Sequence, residues 1–278
     1  MMTPAPHKPV ALTIAGFDPS AGAGVLADLK SFAAHDCYGV AAVAAITAQN
    51  TCEVRQVSPV DAALLKAQLE ALFDDIAISG VKIGLLGSRR NMEMAAQCLG
   101  ARDLPVVVDP VLKSSSGAEF VPEADLKQFK RLLFPLARVL TPNAEEAGRL
   151  LGVTVATLEE MKGAAKLLHE QGAPHVVITG GHLDKPADVY FDGQELEVFT
   201  GLRISSQSTH GTGCTFSAAI LANMVNGKAV KESVVLAKAY VSQAIARAYP
   251  VGSGQGPLNH LFRFAEMSPR AGGVEVPQ

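Results

Sequence analysis

The sequence predicts an α/β protein with a mostly parallel central sheet, and three features predict it. Short apolar runs alternate with amphipathic helical segments along most of the chain. Several of those runs end in a turn that leads directly into a helix. Of the 278 residues, 48% are apolar and 18% charged, enough to bury a large core. Strands separated by helices join through right-handed crossovers, which lay them side by side in parallel.

The elements follow in order. Pro9 to Ala15 is an apolar run suited to a buried strand. Gly16 to Gly24 is a glycine-rich turn, and Val25 to Ala34 a helix with Leu26, Leu29 and Phe32 at helical spacing. Val40 to Thr47 reads as a strand, and Asp61 to Phe73 as a helix with Leu64, Leu65, Leu69 and Leu72 on one face. Val81 to Gly84 is a short strand before a helix over Asn91 to Leu99. Pro105 to Val108 is a strand, Ala124 to Leu133 a helix, Arg138 to Leu140 a strand, and Ala144 to Leu151 a helix. Leu158 to Gln171 is helical, and Val176 to Thr179 is again a strand. Asp192-Gly193 between the alternating runs Asp188 to Phe191 and Glu195 to Phe199 predicts an antiparallel hairpin at the sheet edge. Long helices close the pattern at Thr212 to Met224 and Lys231 to Ala248. No linker divides the chain, so one domain is expected over residues 9–266, with flexible tails at 1–8 and 267–278.

Composition narrows the function. Net charge is −3 with no basic block, so no nucleic-acid partner is expected. No apolar run reaches the ~18 residues of a membrane span, and no leader pattern is present. Cys37, Cys52, Cys98 and Cys214 form no C-x-x-C pair. A cytoplasmic protein with reduced thiols is the expectation.

Four segments can carry chemistry, and each is predicted where a parallel strand ends. Gly16 to Gly24 allows close backbone approach, although its spacing matches neither a dinucleotide fingerprint nor a P-loop. Thr209-His210-Gly211-Thr212-Gly213-Cys214 precedes an Ala-rich helix, whose first N–H groups form an anion nest. A thiol in that first turn, Cys214, is expected to have a lowered pKa. Thr141-Pro142-Asn143-Ala144-Glu145-Glu146 puts Asn143 and Glu146 on one face of a helix start; they can serve hydrated Mg²⁺ or act as an ordinary N-cap. Asp109-Pro110 and Thr179-Gly180-Gly181-His182 follow two other strands. An anion nest, acidic groups and an ionisable thiol on one rim suit phosphoryl transfer.

At these residues the chain resembles the bacterial hydroxymethylpyrimidine and phosphomethylpyrimidine kinases of the ribokinase-like superfamily. The resemblance runs from about Val10 to Phe262. Its segments include Ala11-Leu12-Thr13-Ile14-Ala15-Gly16, Ala27-Asp28-Leu29-Lys30, Thr47-Ala48-Gln49-Asn50-Thr51, Val81-Lys82-Ile83-Gly84, Thr141-Pro142-Asn143 and Thr209-His210-Gly211-Thr212-Gly213-Cys214-Thr215. It implies a three-layer α/β/α sandwich, a homodimer, and ATP with Mg²⁺ as cofactors. Gly211, Thr212, Gly213 and Cys214 would form the anion hole, with Cys214 taking the proton of the attacking hydroxyl. Asp28 and Gln49 would hydrogen-bond an aminopyrimidine, in a pocket shaped by Gly16, Leu85 and Val111. Asn143 and Glu146 would hold Mg²⁺–ATP through water and phosphate, with Asp109, Thr179 and His210 in the same polar network. The chain departs from the common pattern at Leu26, Leu85, Lys113 and Thr179. The expected reaction is ATP-dependent phosphorylation of 4-amino-5-hydroxymethyl-2-methylpyrimidine, then of its monophosphate. The alternative is a pyridoxal or pyridoxine kinase of the same superfamily. A dehydrogenase lacks its glycine spacing here, and a non-catalytic sensor would have lost the nest or the thiol.

Overall fold

The computed structural model describes residues 8–114, 117–181 and 185–267. The expected tails before residue 8 and after residue 267 lie outside it, as does His182. Nine strands among the described residues form one sheet: β1 (Val10–Phe17), β2 (Tyr38–Gln49), β3 (Val54–Pro59), β4 (Gly80–Ile83), β5 (Val106–Val108), β6 (Val139–Leu140), β7 (His175–Gly180), β8 (Ala187–Phe191) and β9 (Leu196–Thr200). Their order across the sheet is β3-β2-β1-β4-β5-β6-β7-β8-β9. The strands from β2 across to β7 are parallel, and β3, β8 and β9 are antiparallel additions at the two edges.

The parallel strands read as unbroken apolar runs because both of their faces are buried. Successive side chains point to opposite faces. Leu12 and Ile14, Val106 and Val108, Val176 and Ile178 enter one core; Ala11, Val107 and Val177 enter the other. The first core is covered by α2 (Ala62–Asp75), α3 (Arg89–Leu99), α4 (Leu126–Leu133), α5 (Ala144–Leu151) and α6 (Leu158–Glu170). The second lies under α1 (Gly24–Ala34), α7 (Thr212–Val225) and α8 (Val230–Ala246). This is the three-layer, ribokinase-like sandwich expected from the sequence.

The hairpin forms as expected. Asp192 Oδ1 accepts from the N–H groups of Gln194 (2.9 Å) and Glu195 (2.7 Å), which turns the chain from β8 into β9. Strand β3 has no counterpart among the elements expected from the sequence. Val54 and Val57 are its half-buried positions, too few to stand out, and pairing with β2 defines the strand (Thr47 opposite Val57). A short closing helix, α9 (Phe262–Met267), is likewise an addition.

Candidate active site

Parallel strands deliver their C-terminal residues to one edge of the sheet. Beyond that edge lies a cavity of about 840 Å³. Asp18 follows β1, Leu85 lies just beyond β4, Asp109 follows β5, Asn143 lies beyond β6, and Thr179 belongs to the end of β7. The cavity wall includes every site residue named from the sequence except Asp28.

Two loops face each other across this edge, the turn from Asp18 to Ala23 and the turn into α7. Gly211, the N-cap of α7, has φ +81°, and a Cβ there would come within 1.9 Å of the Gly22 carbonyl oxygen. A Cβ on Gly22 would in turn lie 2.2 Å from His210 Cδ2. Only glycine permits this approach. No side chain caps this 14-residue helix; Thr212 N–H donates to the Thr209 carbonyl at 3.3 Å, and Gly211, Thr212, Gly213 and Cys214 line the cavity at its positive end.

Asp18 is not singled out by the sequence, yet it organises this wall. Its Oδ1 accepts from Ser20 N–H (2.8 Å) and Ser20 Oγ–H (2.7 Å). Its Oδ2 accepts from Ala23 N–H (2.9 Å) and faces His210 Nε2 at 2.8 Å. Burial alone would raise the Asp18 pKa, but the bonds from His210, Ser20, Gln49 and Ala23 outweigh it and hold the carboxyl well below its usual range. Gln49 Nε2 lies 3.5 Å from His210 Nε2. Gly16 and Leu85 meet as a pocket floor; a Cβ on Gly16 would lie 2.9 Å from Leu85 Cδ2.

Two expectations need correction. Asp28 is fully buried on α1, beneath the cavity rather than on its wall. It accepts from Thr13 Oγ1–H at 2.6 Å and from Lys82 Nζ at 2.9 and 3.1 Å, so both oxygens are committed within the protein. The residue pattern marks Asp28 as polar, but only packing shows which way it points. The second correction concerns Cys214. Its thiol is not lowered by the helix start. Burial raises it, the Lys82 ammonium opposes this, and the carboxylates of Asp109 and Asp28 reinforce it, leaving the thiol at about 12.

Asn143 and Glu146 form a complete capping box. Glu146 N–H donates to Asn143 Oδ1 and Asn143 N–H to Glu146 Oε2, both at 2.9 Å. Burial and the nearby Asp109 raise the Glu146 carboxyl to about 8. Asp109 Oδ2 accepts from Ser217 Oγ–H at 3.0 Å, and burial raises its pKa as well. Among the described residues no cluster of three or more His, Cys, Asp or Glu could cage a metal. The donor set of Asp109, Asn143 and Glu146 is all oxygen, and its two carboxyls disfavour each other's charge. That set fits Mg²⁺ held through water and phosphate, the usual mode for this ion, rather than an all-protein site.

Two lysines also reach the wall. Lys113 Nζ pairs with Glu145 at 3.2 Å, and Lys238 Nζ with Asp188 at 2.6 Å. Among the described residues no helix is long and apolar enough to cross a membrane.

The chain is similar to known proteins along most of its length. A family model described as phosphomethylpyrimidine kinase matches residues 18–259. A hydroxymethylpyrimidine/phosphomethylpyrimidine kinase of Rhizobium meliloti is 41% identical over 92% of the chain and 98% of its own length. A pyridoxine kinase of Bacillus subtilis is 40% identical over 91% and 96%. The solved structure of a Staphylococcus aureus pyridoxal kinase, in complex with AMP-PCP and pyridoxal, superposes with a TM-score of 0.84. It is 37% identical and matches 92% of the chain and 94% of that structure.

Proposed function

The chain belongs to the phosphomethylpyrimidine kinase family, and from that premise we propose that it moves the γ-phosphoryl group of ATP onto the hydroxymethyl group of a six-membered nitrogen heteroaromatic ring. That it is an ATP-dependent kinase of a small vitamin precursor follows from its fold and relatives. The α7 N-terminus beside Cys214 carries the finer reading: Gly211 to Cys214 line the cavity at the positive end of the helix, where a transferred phosphoryl group needs stabilisation.

In this reading the hydroxymethyl oxygen gives its proton to Cys214 and bonds to the γ-phosphorus; with the thiol at about 12, only the small thiolate fraction accepts the proton, so kcat rises with pH toward that value. The bond from that phosphorus to the bridging oxygen breaks, and ADP leaves. Gly211, Thr212 and Gly213 supply the nest. The heteroaromatic ring lies against Gly16, Leu85 and Val111, with Gln49 as its polar partner. Bound Mg²⁺ supplies charge neutralisation at the phosphates, and Asp109, Asn143 and Glu146 are the residues that would hold it. Thr179 and His210 complete the polar wall.

The acceptor is the finer question. Asp28 together with Gln49 is the sequence feature favouring an aminopyrimidine, and Asp28 does not face the cavity. We therefore place the vitamin B6 ring, pyridoxal or pyridoxine, first. The likeness to the pyridoxal-bound Staphylococcus aureus enzyme supports it. The aminopyrimidine and its monophosphate form the second reading, supported by the family model and the Rhizobium meliloti relative. A homodimer in the cytoplasm belongs to the same proposal.

The test is ADP release by the purified protein with Mg²⁺–ATP and each candidate: pyridoxal, pyridoxine, hydroxymethylpyrimidine and its monophosphate. Turnover of the B6 compounds supports the first reading. Turnover of the pyrimidines alone replaces it with the second, and turnover of none overturns both.

A further inference from the structure

Gln49 closes β2 and lines the cavity. Its amide has two unlike ends: Nε2 donates two hydrogen bonds and Oε1 only accepts. The end that meets the ring decides which ring substituents can bind there. Two neighbours on the cavity wall, Asp18 and His210, decide which end that is.

Asp18 is almost fully buried in the turn after β1. Ser20 N–H, Ser20 Oγ–H and Ala23 N–H all donate to it, so the carboxylate stays ionised and only accepts. His210 Nε2 lies 2.8 Å from Asp18 Oδ2. Facing that oxygen, Nε2 carries the imidazole proton and donates it; the other tautomer would set a lone pair against an anion. Gln49 Nε2 lies 3.5 Å from the same His210 nitrogen. A protonated Nε2 cannot accept from the amide, so the two nitrogens are neighbouring donors. They converge because both serve the Asp18 carboxylate, to which the Gln49 amide also bonds. Turning the amide over would lose that bond and set Oε1 against the carboxylate, acceptor against acceptor. Among the described residues no donor bonds Gln49 Oε1, so this end is left to the cavity.

We propose that Asp18 and His210 are positioning residues for specificity: they hold the Gln49 amide with Oε1 toward the bound ring, so the substrate is a hydroxymethyl heteroaromatic that carries an N–H or O–H donor on its ring. They act on the ring through Gln49. An exocyclic amine and a ring hydroxyl both satisfy Oε1, so one wall can serve an aminopyrimidine or a vitamin B6 ring. A bare ring nitrogen at that place would meet lone pair with lone pair and is refused. The inference rests on the reading of the cavity as the seat of such a ring.

Two measurements test this. Neutron crystallography of the deuterium-exchanged protein, without substrate, sees N–D groups directly and should place the Gln49 ND₂ toward Asp18. The reverse orientation overturns the proposal. ADP release with Mg²⁺–ATP then compares each parent ring with a counterpart lacking the donor: hydroxymethylpyrimidine with 5-hydroxymethyl-2-methylpyrimidine, and pyridoxine with 3-deoxypyridoxine. For whichever ring is phosphorylated, loss of the donor should lower kcat/KM about 10- to 100-fold. Asp18→Asn can offer its own NH₂ to a turned amide, so the ratio should fall to about threefold or less, with KM for ATP within about threefold of wild type. Gln49→Met should erase the ratio in the same way. A purely structural role of Asp18 would weaken both compounds alike and leave the ratio unmoved. If Asp18→Asn fails to fold, the wild-type ratio, Gln49→Met and the neutron structure still decide. A wild-type ratio near one overturns the proposal, and so does a ratio unmoved by the substitutions. If neither parent ring is phosphorylated, the reading of the substrate falls, and the neutron structure alone upholds or overturns the orientation of the amide.

Discussion

His210 Nε2 lies 2.8 Å from Asp18 Oδ2, joining two loops that are 192 positions apart in the sequence. The bond ties the turn after β1 to the turn that opens α7, so the ring pocket and the anion nest are held as one wall. Asp18 is almost fully buried, and its carboxyl also receives three bonds from Ser20 and Ala23. Asp18→Asn should therefore destabilise the protein by about 1–3 kcal/mol at neutral pH. The sign with pH follows from the lowered carboxyl. Its contribution is present above the unfolded pKa of about 4 and fades as pH falls toward the folded value. Denaturant unfolding of both proteins between pH 7 and about pH 3 checks this, with the gap narrowing on acidification.

Gly211 has the steepest steric demand at the site. Gly211→Ala forces a Cβ to within 1.9 Å of the Gly22 oxygen at a φ of +81°. The turn must open, costing about 2 kcal/mol or more in stability, and the nest loses its shape. Thermal stability and kcat should fall together in this variant.

Glu146 predicts an opposite pH trend from Asp18. Its carboxyl is raised to about 8, so the folded protein holds a proton that the unfolded chain has released above about 4.5. The folded state binds more protons in that window, so this group makes stability fall as pH rises through it. Glu146→Gln keeps an oxygen for the capping bond to Asn143 N–H and removes the penalty. Its stability relative to wild type should rise between about pH 5 and pH 8, measured by denaturant titration.

Cys214→Ser tests the proton acceptor. A hydroxyl is a far weaker acid than a thiol, so kcat should fall about 100-fold or more while KM for ATP changes little. Steady-state kinetics with the accepted ring compound measures both. Unchanged kcat would show that the proton leaves by another route.

Much of the architecture is legible in the sequence. Val106 to Val108 or Val176 to Thr179 can be read as buried strands because a parallel strand is apolar on both faces. Asp192-Gly193 can be read as a turn because few other pairs take its backbone geometry. The cavity wall is legible in part: glycine turns and polar residues recur where β1, β5, β6 and β7 end, but the Thr209–Cys214 turn, also expected after a parallel strand, instead follows antiparallel β9 and a long loop. Strand β3, from Val54 to Pro59, is not. It carries only two half-buried valines, and its partner strand supplies the rest of its definition.

By itself, then, the sequence determined the alternation of strand and helix, the sheet edge that bears the site, and the position of Cys214 at a helix start. These are local properties of periodicity and turn chemistry. Tertiary structure alone decided that Asp28 turns inward to Lys82, that Asp18 rather than Asp28 lies on the cavity wall, and that the Cys214 thiol is raised rather than lowered. Each depends on which charges meet across separate strands and helices, and on how much water is excluded where they meet. Electrostatic energies at these distances are set by neighbours far away in sequence, which no local pattern encodes.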